Sequence, residues 1–104
     1  MTNVLDISDI KDFSEEVFET LHQNDKVRIE RIVSSGQITS EGDWQESEQG
    51  EWVVLLQGES ELIFQDGEVL KVAKGDCFYI SAYRKHRVTY TSIDPKCIWI
   101  AVHF

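Results

Sequence analysis

After residue 25 the chain is cut by Gly, Asn and Asp into short apolar runs with a period of two, and this pattern constrains the fold most. A run from Glu51 to Gly58 is followed by a turn at Asp66-Gly67, a second run from Gly75 through Ile80, and a lone His86. Short alternating segments bounded by turn residues are strands of an all-β domain. The carboxylate and the imidazole at their ends suit a small barrel with a polar site in its mouth.

The alternation begins at Lys26. Val27, Ile29, Arg31 and Val33 interleave with Arg28, Glu30, Ile32 and Ser34, and Gly36 punctuates before Gln37-Ile38-Thr39. Strands are expected over about 51–57 and 59–65 and, past a type I′ turn at Asp66-Gly67, from Glu68 to Val72. Lys74-Gly75-Asp76 makes the next turn, and 77–80, 86–92 and 96–103 bring the set to about eight, with Asp94-Pro95 as the last reversal. The polar stretch from Ser40 to Gly50, with its single Trp44, reads as a loop across the mouth. Residues 8–22 carry a helical pattern, with Ile10, Phe13, Val17, Phe18 and Leu21 on one face and Glu15, Glu16 and Glu19 on the other. Phe13 and Phe18 around Ser14 fit a hydrophobic staple and a break near Asp12. The expected organisation is a helical extension over 1–25 and a barrel over 26–104, together one structural domain.

Nineteen acidic against ten basic residues give a formal charge of -9, which opposes binding to nucleic acid and to anionic membrane surfaces. The sequence has no apolar stretch near the length of a membrane helix and no basic-then-apolar start, so a cytoplasmic location is expected. Cys77 and Cys97 sit in apolar runs and are read as buried free thiols of the core. No serine stands in a nucleophile elbow, and no glycine-rich phosphate loop is present. Both faces of 51–57 are apolar, so something covers the outside: the N-terminal segment in part, and a second copy of the chain in a homodimer for the rest.

From about residue 36 onward the sequence resembles a cupin. The first motif of that family closes with Glu, six residues and Gly, which Glu51 and Gly58 match. Its second motif opens on Gly and ends on His, matched by Gly75 and His86, while Ser81 stands for the motif's Pro and Tyr83 for its second Gly. The upstream His-x-His is missing: Gln45 and Ser47, or Trp44 and Glu46, occupy those positions. The resemblance implies a double-stranded β-helix, or jelly-roll, barrel. It also implies a divalent transition-metal site of which Glu51 and His86 remain, with Gln45 as an added oxygen donor, so that an occupied site would be oxygen-rich. Two functions follow as expectations: a protein that holds a small-molecule ligand in the barrel cavity, with or without a metal, or a metal-dependent enzyme of dioxygenase or isomerase type.

Strand phase supplies the rest of the candidate site. Glu51 shares a side with Val53 and Leu55, His86 with Val88 and Tyr90, and His103 with Trp99 and Ala101. The family's ligand positions converge from two strands and a loop, so the resemblance implies that Gln45, Glu51 and His86 meet in the cavity, lined further by Tyr90 and His103. A protonated His86 beside Glu51 would offset the desolvation of both. Trp44, Trp52, Tyr83, Tyr90 and Trp99 are read mainly as core, with some as walls of a pocket. Arg84, Lys85 and Arg87 read as a solvated turn or, alternatively, as an attractor of anionic ligands.

Overall fold

The computed structural model describes residues 1–104 as eight antiparallel strands with no helix. They are β1 (Val17–Gln23), β2 (Arg28–Ser34), β3 (Glu51–Gln57), β4 (Ser60–Phe64), β5 (Val69–Val72), β6 (Cys77–Ile80), β7 (His86–Thr91) and β8 (Cys97–His103). One sheet has the order β1-β2-β8-β3-β6 and the other β5-β4-β7. The inward side chains of both sheets meet in one core of Val53, Leu55, Leu62, Phe64, Val72, Ile80, Cys97, Trp99 and Ala101. The segment before β3 lies against β7: the backbones of Gln45 and His86 exchange both hydrogen bonds, and Thr39 N donates to Val88 O. Loop 40–50 is thereby fixed at the open end of the sheets.

The expected N-terminal helix is absent. Asn3, Asp6 and Asp12 each accept a hydrogen bond from the backbone amide two residues on, and such local bonds compete with helical ones. Val17 to Gln23 forms a strand instead, although Val17, Phe18 and Leu21 are spaced for a helix. As strand β1 it gains a full partner in β2, with Val17 opposite Val33 and Glu19 opposite Arg31. Part of the supposed extension is thus an edge strand of the larger sheet, and tertiary pairing overrode local periodicity.

The outer face of that sheet explains why both faces of its strands are apolar. Arg31 points outward yet is only 2 % exposed. Its Nε and Nη2 donate to Glu19 Oε1 (2.9 and 2.6 Å), and its Nη1 donates to the carbonyls of Val4 (3.1 Å) and Asp6 (2.8 Å). The N-terminal segment is pinned across β1 and β2, above buried Val33 and Ile98. Farther along the face Trp52 and Tyr79 are cross-strand partners, the Tyr79 ring lies 5.9 Å from that of Phe104, and all three are exposed.

Three smaller expectations change. The β4–β5 hairpin is not a type I′ turn: only Gly67 has positive φ, Gly67 N donates to Phe64 O and Phe64 N to Glu68 O, which is a type I turn closed by a glycine bulge. Cys97 is buried as expected, but Cys77 is exposed on the outer side of edge strand β6; both thiols are free. Of the five large aromatics, Trp99 alone is buried, while Trp44, Trp52, Tyr83 and Tyr90 are exposed. Tyr83, at the glycine position of the second motif, takes φ 63, a conformation that costs a side-chain-bearing residue about 1–2 kcal/mol. Its amide donates to Ser47 O (2.7 Å), which ties the β6–β7 turn to the mouth loop. No helix is long and apolar enough to cross a membrane.

Candidate functional site

Between the two sheets lies a cavity of about 210 Å³. Its floor is apolar, built from Ile32, Val53, Leu62, Phe78, Ile80, Val88 and Trp99, and its polar rim includes Gln45, Glu51, His86 and His103. The register explains the convergence: His103 of β8 stands between Arg28 of β2 and Glu51 of β3, and directly opposed residues share a face. His86 opens β7 beside the Gln45 bridge, so loop and strand deliver their side chains to one rim.

Tyr90 does not join them. The β4–β7 pairing slips between Glu61 and Leu62, so that Glu61 pairs with Tyr90 but Leu62 with Val88, leaving Thr89 as a bulge. The extra residue reverses the phase. His86 and Val88 face the cavity, Thr91 follows them, and Tyr90 turns outward at 48 % exposure. Strict alternation from His86 gave the wrong side from the bulge onward.

Glu51 and His86 line the same cavity but form no ion pair, contrary to expectation. His86 Nδ1 instead donates to the Arg84 carbonyl (3.0 Å). A carbonyl only accepts, so Nδ1 carries the hydrogen, and Nε2, the acceptor of that tautomer of the neutral ring, has no partner in the chain. Glu51 has neither a side-chain hydrogen bond nor a salt bridge within the chain.

The buried polar contact of the site is one that strand phase alone did not single out. His103 Nε2 donates to Glu30 Oε1 at 2.7 Å, with both side chains less than a tenth exposed, and Arg28 approaches the other Glu30 oxygen at 3.8 Å. Glu16 also reaches the cavity and accepts a hydrogen bond from Ser34 Oγ. Glu30 shares the phase of Ile32 in the sequence, but with both faces of β2 occupied by apolar residues that phase carried no label of inside or outside.

Burial raises the Glu16 carboxyl above its ordinary value of 4.5; the Ser34 hydrogen bond opposes this, and the nearby Glu30 charge adds to it. The folded protein therefore holds the Glu16 proton more tightly than the unfolded chain, so stability falls as pH rises from about 4.5 through the folded value. Glu16→Gln keeps an acceptor for Ser34 and removes the charge. It is expected to be more stable than the parent at pH 7, with the gain vanishing below about pH 4.5, as urea melts across that range will measure.

The basic cluster faces elsewhere. Arg84 Nη2 contacts Asp66 Oδ2 and Glu68 Oε1, each at 2.9 Å, and its guanidinium lies 3.6 Å from the centre of the Phe64 ring. The Arg87 guanidinium lies 5.8 Å from the centre of the Trp44 ring. Neither these two nor Lys85 lines the cavity, which has four carboxylates, from Glu16, Glu30, Glu46 and Glu51, and no Lys or Arg.

A divalent metal was the implied cofactor, and the donor set does not fit one. No three His, Cys, Asp or Glu side chains converge as ligands anywhere in the chain. Gln45, Glu51 and His86 line one cavity, but of the family's three histidine positions only His86 keeps an imidazole, and His103 is committed to Glu30.

Comparison with known proteins agrees with this architecture. No curated protein matches the chain significantly. A crystal structure from Ralstonia eutropha JMP134, described as a "putative mannose-6-phosphate isomerase", is 30 % identical, with 99 % of this chain and 95 % of that one covered at a TM-score of 0.90. A cupin superfamily protein from Desulfitobacterium hafniense DCB-2 is 18 % identical, with 91 % and 82 % of the two chains covered at a TM-score of 0.76. The family model described as Cupin domain matches residues 30–103, which takes in every strand except β1 and the start of β2. With Glu51, Gly58, Gly75 and His86 at the family's spacing and the two-sheet fold in place, the chain belongs to the cupin family.

Proposed function

We propose that the chain is a ligand-binding cupin that holds a small organic molecule in the cavity between its sheets without a resident metal. The observation that carries this reading is the pairing of an apolar floor with two uncommitted polar groups at the rim, Glu51 and His86 Nε2. Such pockets gain affinity from apolar burial and orientation from a few convergent polar groups. The name of the Ralstonia protein refers to a phosphosugar. A phosphate would meet four carboxylates and no Lys or Arg in the lining of this cavity, so that substrate class does not carry over.

Protein purified without an affinity tag is expected to contain far less than one equivalent of transition metal. A stoichiometric metal that disappears in both Glu51→Ala and His86→Ala would overturn the reading in favour of a metal-dependent dioxygenase or isomerase.

The working unit is a homodimer. The N-terminal segment shields the Arg31 end of the outer face but leaves Trp52, Tyr79 and Phe104 as an exposed apolar patch, and a second copy joined about a two-fold axis would cover it. With a charge of -9 per chain, copies repel except where the surface is uncharged, and this patch is such a place. Sedimentation is expected to give a dimer mass that Trp52→Glu reduces to the monomer; a monomer at every concentration of the parent protein would contradict it.

A further inference from the structure

We infer that the ligand of the cavity is a small organic cation bearing N–H donors, a primary or secondary ammonium with a short apolar body. The inference rests on the reading of the cavity as a ligand site and adds the chemical class.

The first support is the sense of the unmade hydrogen bonds. His86 is 8 % exposed and lines the cavity; its Nδ1–H is spent on the Arg84 carbonyl, and Nε2 has no partner in the chain. In the neutral ring the group aimed inward is an acceptor. Glu51, ionised, is an acceptor at both oxygens and is equally unpartnered. Glu51 is half-buried and both acceptors open onto the cavity, so a ligand that displaces water from them must bring donors in its place. A carboxylate or phosphate ligand, having acceptors only, would leave both unmade.

The second support is charge. Glu16, Glu30, Glu46 and Glu51 line the space, and one imidazole, His103, is paired among them with Glu30. The arginines nearest in sequence to His86 are turned away, Arg84 onto Asp66 and Glu68 and Arg87 onto Trp44. Arg28, 3.8 Å from Glu30, offsets part of this charge, and in a space partly screened from water the remaining negative lining raises the local concentration of cations and repels anions. The third support is the floor, where Trp99 and Phe78 offer aromatic surface to the body of an alkylammonium. The volume, about 210 Å³, lies below the roughly 300–1,000 Å³ of pockets for drug-sized ligands and suits a short-chain amine.

Three probes of one shape and different charge test this: butylammonium, 1-butanol and butyrate, each titrated at pH 7 into isotopically labelled protein and followed by amide and Trp99 indole resonances. Butylammonium is expected to shift the signals of Glu51, His86 and Trp99 saturably, and to bind more tightly than butanol, with butyrate shifting none of them. Glu51→Gln, which keeps the shape, is expected to weaken butylammonium binding by about tenfold or more, the loss of one charge-assisted hydrogen bond. Butanol or butyrate binding at these residues as tightly as butylammonium would overturn the cation assignment and leave the cavity reading standing. Butylammonium binding of equal strength in the parent and in Glu51→Gln would also overturn the assignment. Failure of all three probes to move cavity resonances would overturn the cavity reading together with it.

Discussion

Gly58→Ala is expected to lower the stability of this protein by about 3 kcal/mol, whereas Gly67→Ala should cost only about 1 kcal/mol. Both glycines adopt positive φ, 93° and 99°, so each substitution forces a side-chain-bearing residue into left-handed backbone. Their surroundings differ. A Cβ at Gly67 meets nothing within 4 Å. At Gly58 it falls 2.9 Å from the Cα of Cys97, 3.0 Å from the Cys97 sulfur and 2.8 Å from Ser92 Oγ. None of these can easily withdraw. Ser92 Oγ donates to Pro95 O (2.7 Å) and accepts from Glu59 N (3.0 Å), while Cys97 Sγ donates to Glu59 O (3.1 Å), and Cys97 is completely buried at the start of β8. The backbone term of about 1 kcal/mol is common to both variants, and the crowding of a packed site adds roughly 1–3 kcal/mol at Gly58 alone. For a domain whose total stability is typically about 5–15 kcal/mol this is a large fraction. Urea denaturation of the two variants and the parent measures the difference; equal losses would show that the contact with β8 is not what requires a glycine.

Arg31→Met is expected to cost about 2 kcal/mol and to free the N-terminal segment before the rest of the protein unfolds. Methionine fills much of the arginine volume, so the substitution isolates the hydrogen bonds. Those bonds tie two parts of the chain to β2: the N-terminal segment, through the carbonyls of Val4 and Asp6, and β1, through the Glu19 carboxylate. Without the guanidinium, Glu19 loses its charge partner and the segment loses its anchor on the outer sheet face. Replacing a buried ion pair by apolar residues can be neutral when both partners go, but removing one partner alone leaves the other uncompensated. Amide exchange reads this out locally. Ile10 N, bonded to Ile7 O, should exchange far faster in the variant, while amides of β3 and β8 keep their protection relative to global unfolding. Unchanged exchange in residues 1–15 would mean that apolar packing, not Arg31, holds the segment.

The cavity residues behave differently from these two structural positions. Gly58 and Arg31 act through packing and buried hydrogen bonds, so their effects appear in stability. Glu51 and His86 Nε2 are uncommitted in the chain, and their substitution should register in ligand binding more than in folding.

How much of this was legible before the structure depends on the kind of information each residue carries. Turn chemistry and two-residue alternation are local, and they placed the strands from Glu51 onward almost to the residue, together with the cupin spacing of Glu51, Gly58, Gly75 and His86. They also brought Gln45, Glu51, His86 and His103 to one cavity. Wherever two local patterns competed, the sequence was silent. Val17, Phe18 and Leu21 satisfy a helix as well as a strand, and only the pairing of β1 with β2 chose between them. Phase is equally fragile: one unpaired residue, Thr89, carries Tyr90 out of the cavity, and a bulge leaves no mark in the spacing of apolar residues. The side chains of β2 show the remaining limit. Arg31 is buried outside and Glu30 inside, because the N-terminal segment folds back over one face and His103 of β8 meets the other. The alternation by itself determined that successive residues of β2 lie on opposite faces; which face became the cavity, and which charges found partners there, was decided by contacts between residues up to 73 positions apart, which no local pattern encodes.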